Sequence, residues 1–222
     1  MTKQLKSYLA GAVLLGLASS VNAAFIVRGI DAPIDDENNS INIVNIDQAE
    51  SLLITEPTFG THFPSVINYA AGGDADFGGG FAFPGLSGTD DYALDAIGFL
   101  TFNTAGSYVF QVNSDDGFRL RLNNVVVSEF VGTRGPGDTN TSPLSFAAGD
   151  TSSLRLTFFE RAGGDEIELS YSLNGGEQTL VGSSSDITVS ATVPDHATTF
   201  GLLSLSMASI MVFRNRAAKR TV

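Results

Sequence analysis

Apolar and polar residues alternate with a period of two through most of the chain after Ile97. Successive side chains of a β-strand point to opposite faces, so this alternation predicts antiparallel strands with one packed face and one solvated face. The solvated face of one such segment would carry Glu166, Glu168, Ser170 and Ser172. The packed faces would consist of Tyr108, Phe110 and Val112; Phe118, Leu120 and Leu122; Leu154, Leu156 and Phe158; and Ile167, Leu169, Tyr171 and Leu173.

Clusters of Gly, Asn and Asp separate these segments at short intervals, as at 148–150 and 163–165. Short strands with frequent turns are typical of a β-sandwich, so the predicted fold class is all-β and antiparallel. The first half is less regular. Residues 41–46 (INIVNI) predict a strand, and residues 47–54 predict either a strand or a helical turn. The Gly-, Phe- and Pro-rich residues 59–86 predict an ordered loop over the sandwich.

The first 23 residues have the three zones of a secretory signal peptide. Lys3 and Lys6 precede an apolar run at 9–17, and small residues follow up to a cleavage site between Ala23 and Ala24. The alternative for this segment is a first core helix. Residues 1–23 are therefore predicted to be removed by signal peptidase, which leaves 24–192 as a single domain.

The C-terminal residues 193–222 combine a short motif, an apolar run at 200–213 and a basic tail. The apolar run would form a helix of about 21 Å, which is marginal for a bilayer core of about 30 Å. The layout resembles the bacterial PEP-CTERM sorting signals, with Asp replacing the usual Glu in a VPD-type motif. That resemblance implies a membrane helix before processing by an exosortase-type enzyme; a permanent anchor and a core helix remain alternatives. The motif consists of Val193, Pro194 and Asp195.

The predicted mature domain, residues 24–192, is strongly acidic. It holds six arginines, no lysine and 23 acidic residues, a formal charge of −17. Such a surface repels nucleic acid and anionic lipid, and it suits cations or neutral ligands such as sugars. The chain has no cysteine, which excludes disulfides and thiolate chemistry. Nucleic acid is therefore not an expected partner.

Two adjacent carboxylates, Asp115 and Asp116, stand before Gly117 and an alternating strand. By Coulomb's law, at the effective dielectric of a partly buried site, the repulsion between two adjacent carboxylates costs on the order of a few kcal/mol. Calcium accepts six to eight oxygen ligands in irregular geometry and would turn this repulsion into attraction. The alternative is a purely structural turn, because Asp-Gly is a good turn sequence. The pairs at 35–36 and 90–91 lack this strand context and are predicted to be solvated.

The segment GSYVFQVNSDDG at 106–117 is the most specific part of an ordered series of segments over 90–180. That series resembles the protective-antigen-type (PA-fourteen) domain, a β-sandwich of exported toxins, glycosidases and adhesins. The resemblance implies that a cis peptide joins Asp115 to Asp116 and that both ligate a calcium ion that touches sugar hydroxyls. It also places a second calcium loop in the last long hairpin, at 160–165, where Glu160 and Asp165 are the candidate ligands and the carbonyl oxygens of the loop are the alternative.

The sequence favours a binding module over an enzyme. His62 and His196 are the two histidines, and no nucleophile-elbow pattern accompanies them. The predicted function is a non-catalytic, calcium-assisted carbohydrate-binding module, with a glycan or exopolysaccharide as partner, on the cell envelope, outer surface or extracellular matrix of a bacterium. The alternatives are a structural matrix or coat protein and a secreted hydrolase. Arg119 and Arg121 are predicted to face outward and to pair with acids such as Glu166 and Glu168.

Overall fold

The computed structural model describes residues 24–33, 42–70 and 91–192. These residues form one helix, α1 (Ile46–Thr55), and thirteen strands. The strands are β1 (Ile26–Asp31), β2 (Gly60–His62), β3 (Asn68–Ala70), β4 (Tyr92–Phe102), β5 (Gly106–Asp115), β6 (Phe118–Leu122), β7 (Val125–Phe130), β8 (Gly137–Asn140), β9 (Leu144–Phe146), β10 (Thr151–Glu160), β11 (Glu166–Leu173), β12 (Thr179–Leu180) and β13 (Ile187–Ser190).

The strands pair into two antiparallel sheets. One has seven strands in the order β2-β1-β4-β10-β6-β7, with β13 also paired to β4. The other has six strands in the order β12-β11-β5-β8, with β3 paired to β11 and β9 to β5. Sequential neighbours such as β4 and β5, or β10 and β11, therefore lie in different sheets. The long strands predicted from the alternating pattern are all present.

The core between the sheets is aromatic. Tyr108 and Phe110 from β5 lie against Phe102 from β4, and all three are fully buried. Phe102 stacks on Phe146, with ring centroids 3.7 Å apart and an interplanar angle of 7°. The apolar residues predicted to form the packed faces of β5, β6 and β10 are all buried.

A second, smaller cluster places α1 against β1, β4 and β10. Ile46, Ala49 and Leu53 of the helix pack with Ala93 and Phe159. The predicted strand at 41–46 is wrong, because Asn45 caps the helix: its side chain accepts a hydrogen bond of 2.9 Å from the backbone N–H of Gln48. An N-cap side chain satisfies a helix donor that has no intrahelical partner.

The predicted pairing of Arg119 and Arg121 with Glu166 and Glu168 is also wrong, because those acids belong to the other sheet. Arg119 instead bonds Asp47 and Glu50 of α1 and Glu129 of β7, at 2.6 to 2.8 Å. Arg121 bonds Glu50 through both terminal nitrogens. Both arginine side chains are mostly covered, so these ion pairs hold α1 onto the seven-stranded sheet.

The polar face of β11 is buried rather than solvated, which corrects the prediction for that strand. Glu166, Glu168, Ser170 and Ser172 are all less than a tenth exposed. The register explains why polar residues are tolerated there. Glu168 lies directly opposite Asn113 of β5 and Asn68 of β3, so polar side chains meet polar side chains across three strands.

Asp91 is buried, so its predicted solvation is wrong. Its Oδ1 accepts a hydrogen bond of 3.1 Å from the N–H of Ile43, and its carbonyl accepts one of 2.8 Å from Ala32. These bonds hold the chain before α1 against the start of β4. Asp90 and the pair at 35–36 lie outside the described residues.

The predicted signal peptide and C-terminal segment also lie outside the described residues. Within the parts of the chain that the structure describes, no helix has the length and apolar character needed to cross a membrane.

Candidate metal centre

The connection between β5 and β6 carries the chain from the six-stranded sheet to the seven-stranded sheet. β5 ends at Asp115 and β6 begins at Phe118, so Asp116 and Gly117 alone make the crossing. The peptide bond between Asp115 and Asp116 is cis, as the resemblance implied. Leu120 and Phe118 are fully buried on one side of the new strand, which fixes its direction.

Gly117 is required by space rather than by a left-handed backbone. A Cβ atom at this position would lie 2.5 Å from a ring carbon of Phe159. It would also lie 2.6 Å and 2.8 Å from the carbonyl oxygens of Gly132 and Phe130. The loop that follows β7 therefore packs directly on the backbone of the Asp115–Asp116 corner.

Asp116 ties two loops to this corner. Its Oδ1 accepts a hydrogen bond of 2.8 Å from the N–H of Arg134, in the loop between β7 and β8. Its Oδ2 accepts one of 2.9 Å from the N–H of Arg161, in the loop between β10 and β11. Burial raises the pKa of Asp116, and these two amides and the Arg161 guanidinium offset part of that rise.

Three carboxylates meet at the corner. Oxygen atoms of Asp115, Asp116 and Glu160 all lie within 4.8 Å of one another. Glu160 is the last residue of β10, so the group draws on both sheets. Asp116 and Glu160 are buried, whereas Asp115 is partly exposed. Asp115 is therefore the least buried of the three.

Glu160 is the least compensated of the three carboxylates. It is 1 % exposed, and neither carboxylate oxygen has a hydrogen-bond partner of normal geometry. Burial, and after it the carboxylates of Asp116, Asp115 and Asp165, together raise its pKa to about 9, and the backbone amide of Ala162 offsets part of that rise. Buried polar atoms in proteins are almost always satisfied, so this carboxylate calls for a proton or a cation.

Asp165 does not join the group of three. Its Oδ2 accepts a hydrogen bond of 2.5 Å from the hydroxyl of Tyr92. Burial and the carboxylate of Asp165 both raise the pKa of that tyrosine. Asp165 is nonetheless close enough to affect the pKa of Glu160, so it lies beside the centre rather than in it.

The donor set suits calcium. All three side chains offer oxygen atoms, which hard cations prefer, and calcium accepts ligands at about 2.3 to 2.6 Å in flexible geometry. Atoms within 4.8 Å of one another can share such an ion, because two ligands on opposite sides of calcium are separated by about 5 Å. The orphaned oxygens of Glu160 agree with this assignment.

The sequence did not indicate three contributors to the centre. The amides of Arg134 and Arg161 are backbone groups, which leave no signature in side-chain type. Ser114 is fully buried, and its hydroxyl donates a hydrogen bond of 2.7 Å to the carbonyl of Asp116. Its position directly before the two aspartates was the one available signal.

Comparison with known proteins identifies one family. The family model of the PA14 domain matches residues 81–185, and this range includes the predicted 90–180. No curated protein matches the chain.

Solved structures with the same fold include domains of an antifreeze protein and of two adhesins. The PA14 domain of the MpAFP antifreeze protein has a TM-score of 0.59 at 16 % identity, covering 87 % of this chain and 100 % of that one. The PA14 sugar-binding domain of an RTX adhesin has a TM-score of 0.55 at 18 % identity, covering 71 % and 94 %. The epithelial adhesin 6 A domain of Candida glabrata, in complex with Galb1-3GlcNAc, has a TM-score of 0.59 at 11 % identity, covering 81 % and 92 %. At these identities the likeness shows the fold, and it confirms the predicted antiparallel β-sandwich.

Proposed function

Because residues 81–185 match the PA14 domain, we propose that the chain is a non-catalytic module that binds carbohydrate with the help of a calcium ion. Asp115, Asp116 and Glu160 would hold the ion, and Asp115, the most exposed of the three, would face the sugar. The single observation that carries the proposal is the convergence of these three carboxylates, one of them buried with no hydrogen-bond partner of normal geometry.

The comparisons support a sugar as the ligand class. Two of the similar structures are a sugar-binding domain of an adhesin and an adhesin domain in complex with a disaccharide. Calcium can bind sugar hydroxyls in the coordination positions that protein oxygens leave open, because it accepts six to eight ligands. The three carboxylates supply only part of that number, so room remains for hydroxyl oxygens.

A glycan array measured with and without chelator tests the proposal. We expect calcium-dependent retention of a glycan by the wild-type protein and its loss in Asp115→Asn. Asp47→Asn is the matched control, because the Asp47 side chain is 73 % exposed and pairs with Arg119 rather than with the three carboxylates of the centre. Retention that ignores both chelator and Asp115→Asn would contradict the proposed site.

Other outcomes of the array would favour the alternatives. Silence on every glycan, with or without calcium, would favour a structural matrix or coat protein. Release of reducing sugar from a polysaccharide panel would favour a hydrolase. Glycoside hydrolysis normally uses a pair of carboxylates, so acidic residues rather than His62 would then be replaced first.

We also propose that the domain at 24–192 acts outside the cell. Signal peptidase would cut between Ala23 and Ala24, and an exosortase-type enzyme would read Val193, Pro194 and Asp195. The excess of acidic residues in the domain supports an extracellular partner that is neutral or cationic. Mass spectrometry of the mature protein tests this processing: a product that still ends at Val222 would argue against sorting.

A further inference from the structure

The side chain of Arg134, in the loop between β7 and β8, forms hydrogen bonds beside the Asp115–Asp116 corner. Its Nε donates a hydrogen bond of 3.0 Å to the carbonyl oxygen of Ser114, and its Nη2 donates one of 2.7 Å to the hydroxyl of Ser114. Its Nη1 donates one of 2.9 Å to the hydroxyl of Thr139 in β8. Three nitrogens of a single guanidinium are therefore committed to fixed acceptors.

The Ser114 hydroxyl passes this restraint on to Asp116. It accepts from Arg134 and donates at 2.7 Å to the carbonyl oxygen of Asp116. The backbone N–H of Arg134 meanwhile binds the carboxylate of the same aspartate. Arg134 thus restrains Asp116 in two ways. Its backbone amide binds the Asp116 carboxylate, and its guanidinium restrains the Asp116 main chain through the hydroxyl of Ser114.

We propose that Arg134 is a positioning residue of the metal centre: it holds Asp116, and through Asp116 the Arg161 loop, in the geometry that a cation requires. The inference rests on the proposed calcium site. Arg134 does not ligate the ion. It acts through Ser114 and through its own backbone amide.

Two aromatic rings hold the guanidinium in place. The guanidinium carbon lies 4.5 Å from the ring centroid of Phe130 and 5.7 Å from that of Phe118. Phe118 is the first residue of β6, directly after the corner, whereas Ser114 lies directly before it. The side chain of Arg134 therefore contacts residues on both sides of the corner. The planar guanidinium group of an arginine can lie over aromatic rings while it donates several directed hydrogen bonds. The compact ammonium group of a lysine makes fewer such bonds, so lysine is not an equivalent replacement.

Electrostatics alone would predict the opposite role. The Arg134 guanidinium carries a positive charge near Asp115, and such a charge weakens the binding of a cation to that carboxylate. If repulsion dominated, removing the guanidinium would tighten calcium binding. If positioning dominates, removing it loosens calcium binding, and the sign of the change separates the two roles.

Isothermal titration with calcium chloride on the full chain measures that sign. Arg134→Lys keeps the positive charge but loses the guanidinium group with its three hydrogen bonds, whereas Arg134→Met loses both the charge and the hydrogen bonds. We expect both variants to bind calcium at least about tenfold more weakly than wild type, the range seen when an outer-shell partner of a metal site is removed. Arg155→Met is the control, because Arg155 is similarly covered and bonds Asp95 instead. Unchanged or tighter binding by Arg134→Met would overturn the proposal.

Hydrogen exchange of the Arg161 amide gives a second measurement that needs no calcium. This amide donates to Asp116 from another loop. In chelator we expect it to lose protection in Arg134→Met and in the milder variant Ser114→Ala, and to keep it in Arg155→Met. Retained protection in both test variants would overturn the proposal. A wild-type protein that binds no calcium would refute the calcium site, while the exchange of Arg161 would still decide the role of Arg134.

Discussion

Replacing Gly117 by alanine should destabilise the domain through a clash that no rotamer change can relieve. The added Cβ would approach two backbone carbonyl oxygens, of Gly132 and Phe130, to 2.6 and 2.8 Å, and a ring carbon of the fully buried Phe159 to 2.5 Å. Overpacking of this kind costs about 1 to 3 kcal/mol, because side chains or backbone must shift. For a domain of this size about 1 kcal/mol corresponds to a change of about 2 to 4 °C in Tm, so Gly117→Ala should melt about 2 to 12 °C lower.

Gly132→Ala is a matched control in the loop that causes the clash. A Cβ there would meet nothing within 4 Å, and the residue has no left-handed backbone. Such a change should leave stability unchanged or raise it by up to about 1 kcal/mol, because it restricts the unfolded chain. The two variants are compared by thermal unfolding and by urea denaturation in chelator, so that calcium does not contribute.

The same clash should reach the metal centre. To relieve it, the loop after β7 must move away from the corner, and that loop supplies the Arg134 amide to Asp116. Gly117→Ala should therefore weaken calcium binding as well as stability, while Gly132→Ala should do neither. If the two variants melt within about 1 °C of each other, the close approach of this loop has no energetic consequence and the reasoning fails.

Three further predictions concern buried charges. In chelator the free energy of unfolding should fall as pH rises from about 4.5 to about 9: folding keeps Glu160 protonated up to about pH 9, whereas the unfolded chain ionises it above about 4.5. Urea denaturation across this range measures the fall, and saturating calcium should remove most of it. Glu160→Gln should flatten the same profile: in chelator its midpoint should match wild type below about pH 4.5 and exceed it at neutral pH, because an amide resembles the protonated acid. Titration should show calcium affinity lower by about tenfold or more, since a ligand oxygen and a charge are lost. Asp95→Asn should cost about 1.5 to 3 kcal/mol in urea denaturation, because the charge-assisted hydrogen bonds that the fully buried Asp95 carboxylate accepts from Arg28 and Arg155, at 3.0 and 2.7 Å, would be weakened. A loss below about 0.5 kcal/mol would show that this ion triad is no stronger than a surface pair.

The long strands could be predicted because their alternation is a local property. Tyr108, Phe110 and Val112 point to one face whatever else the chain does, and burial of that face follows. The polar face of β11 was different, because its polarity did not predict whether that face is exposed to solvent. Glu168 is polar and yet 1 % exposed, because its neighbours across the sheet are asparagines. Burial of that face depends on pairings between residues far apart in the sequence.

The helix was missed for a different reason. The run INIVNI satisfies a strand pattern, and its apolar residues also fit the first turn of an amphipathic helix. The capping by Asn45 and the burial of Ile43 and Ile46 decided between the two. Gln48 completes the cap by accepting a hydrogen bond of 3.1 Å from Val44, a reciprocal arrangement typical of helix N-termini.

The centre was predictable where it consists of side chains in a recognisable order, and not where it consists of backbone. Oxygen atoms of Asp115, Asp116 and Glu160 lie within 4.8 Å of one another, and their role as metal ligands stays a prediction. Asp165 was the natural fourth choice by position in the hairpin, but the hydroxyl of Tyr92 binds its carboxylate. A sequence cannot rank two acids of one loop without knowing which donor lies opposite each of them.

The placement of the three carboxylates also bears on how a chain without cysteine resists unfolding. Asp115 ends β5 of the six-stranded sheet and Glu160 ends β10 of the seven-stranded sheet, so a cation shared by them would join the two sheets at one corner. Without the cation, Glu160 must be protonated or repelled there, and the corner weakens the sandwich as pH rises. With it, the stability gained grows as RT ln(1 + [L]/Kd), which is about 2.7 kcal/mol at a hundred times the Kd. That amount falls within the range of a disulfide, and unlike a disulfide it depends on the calcium concentration around the protein.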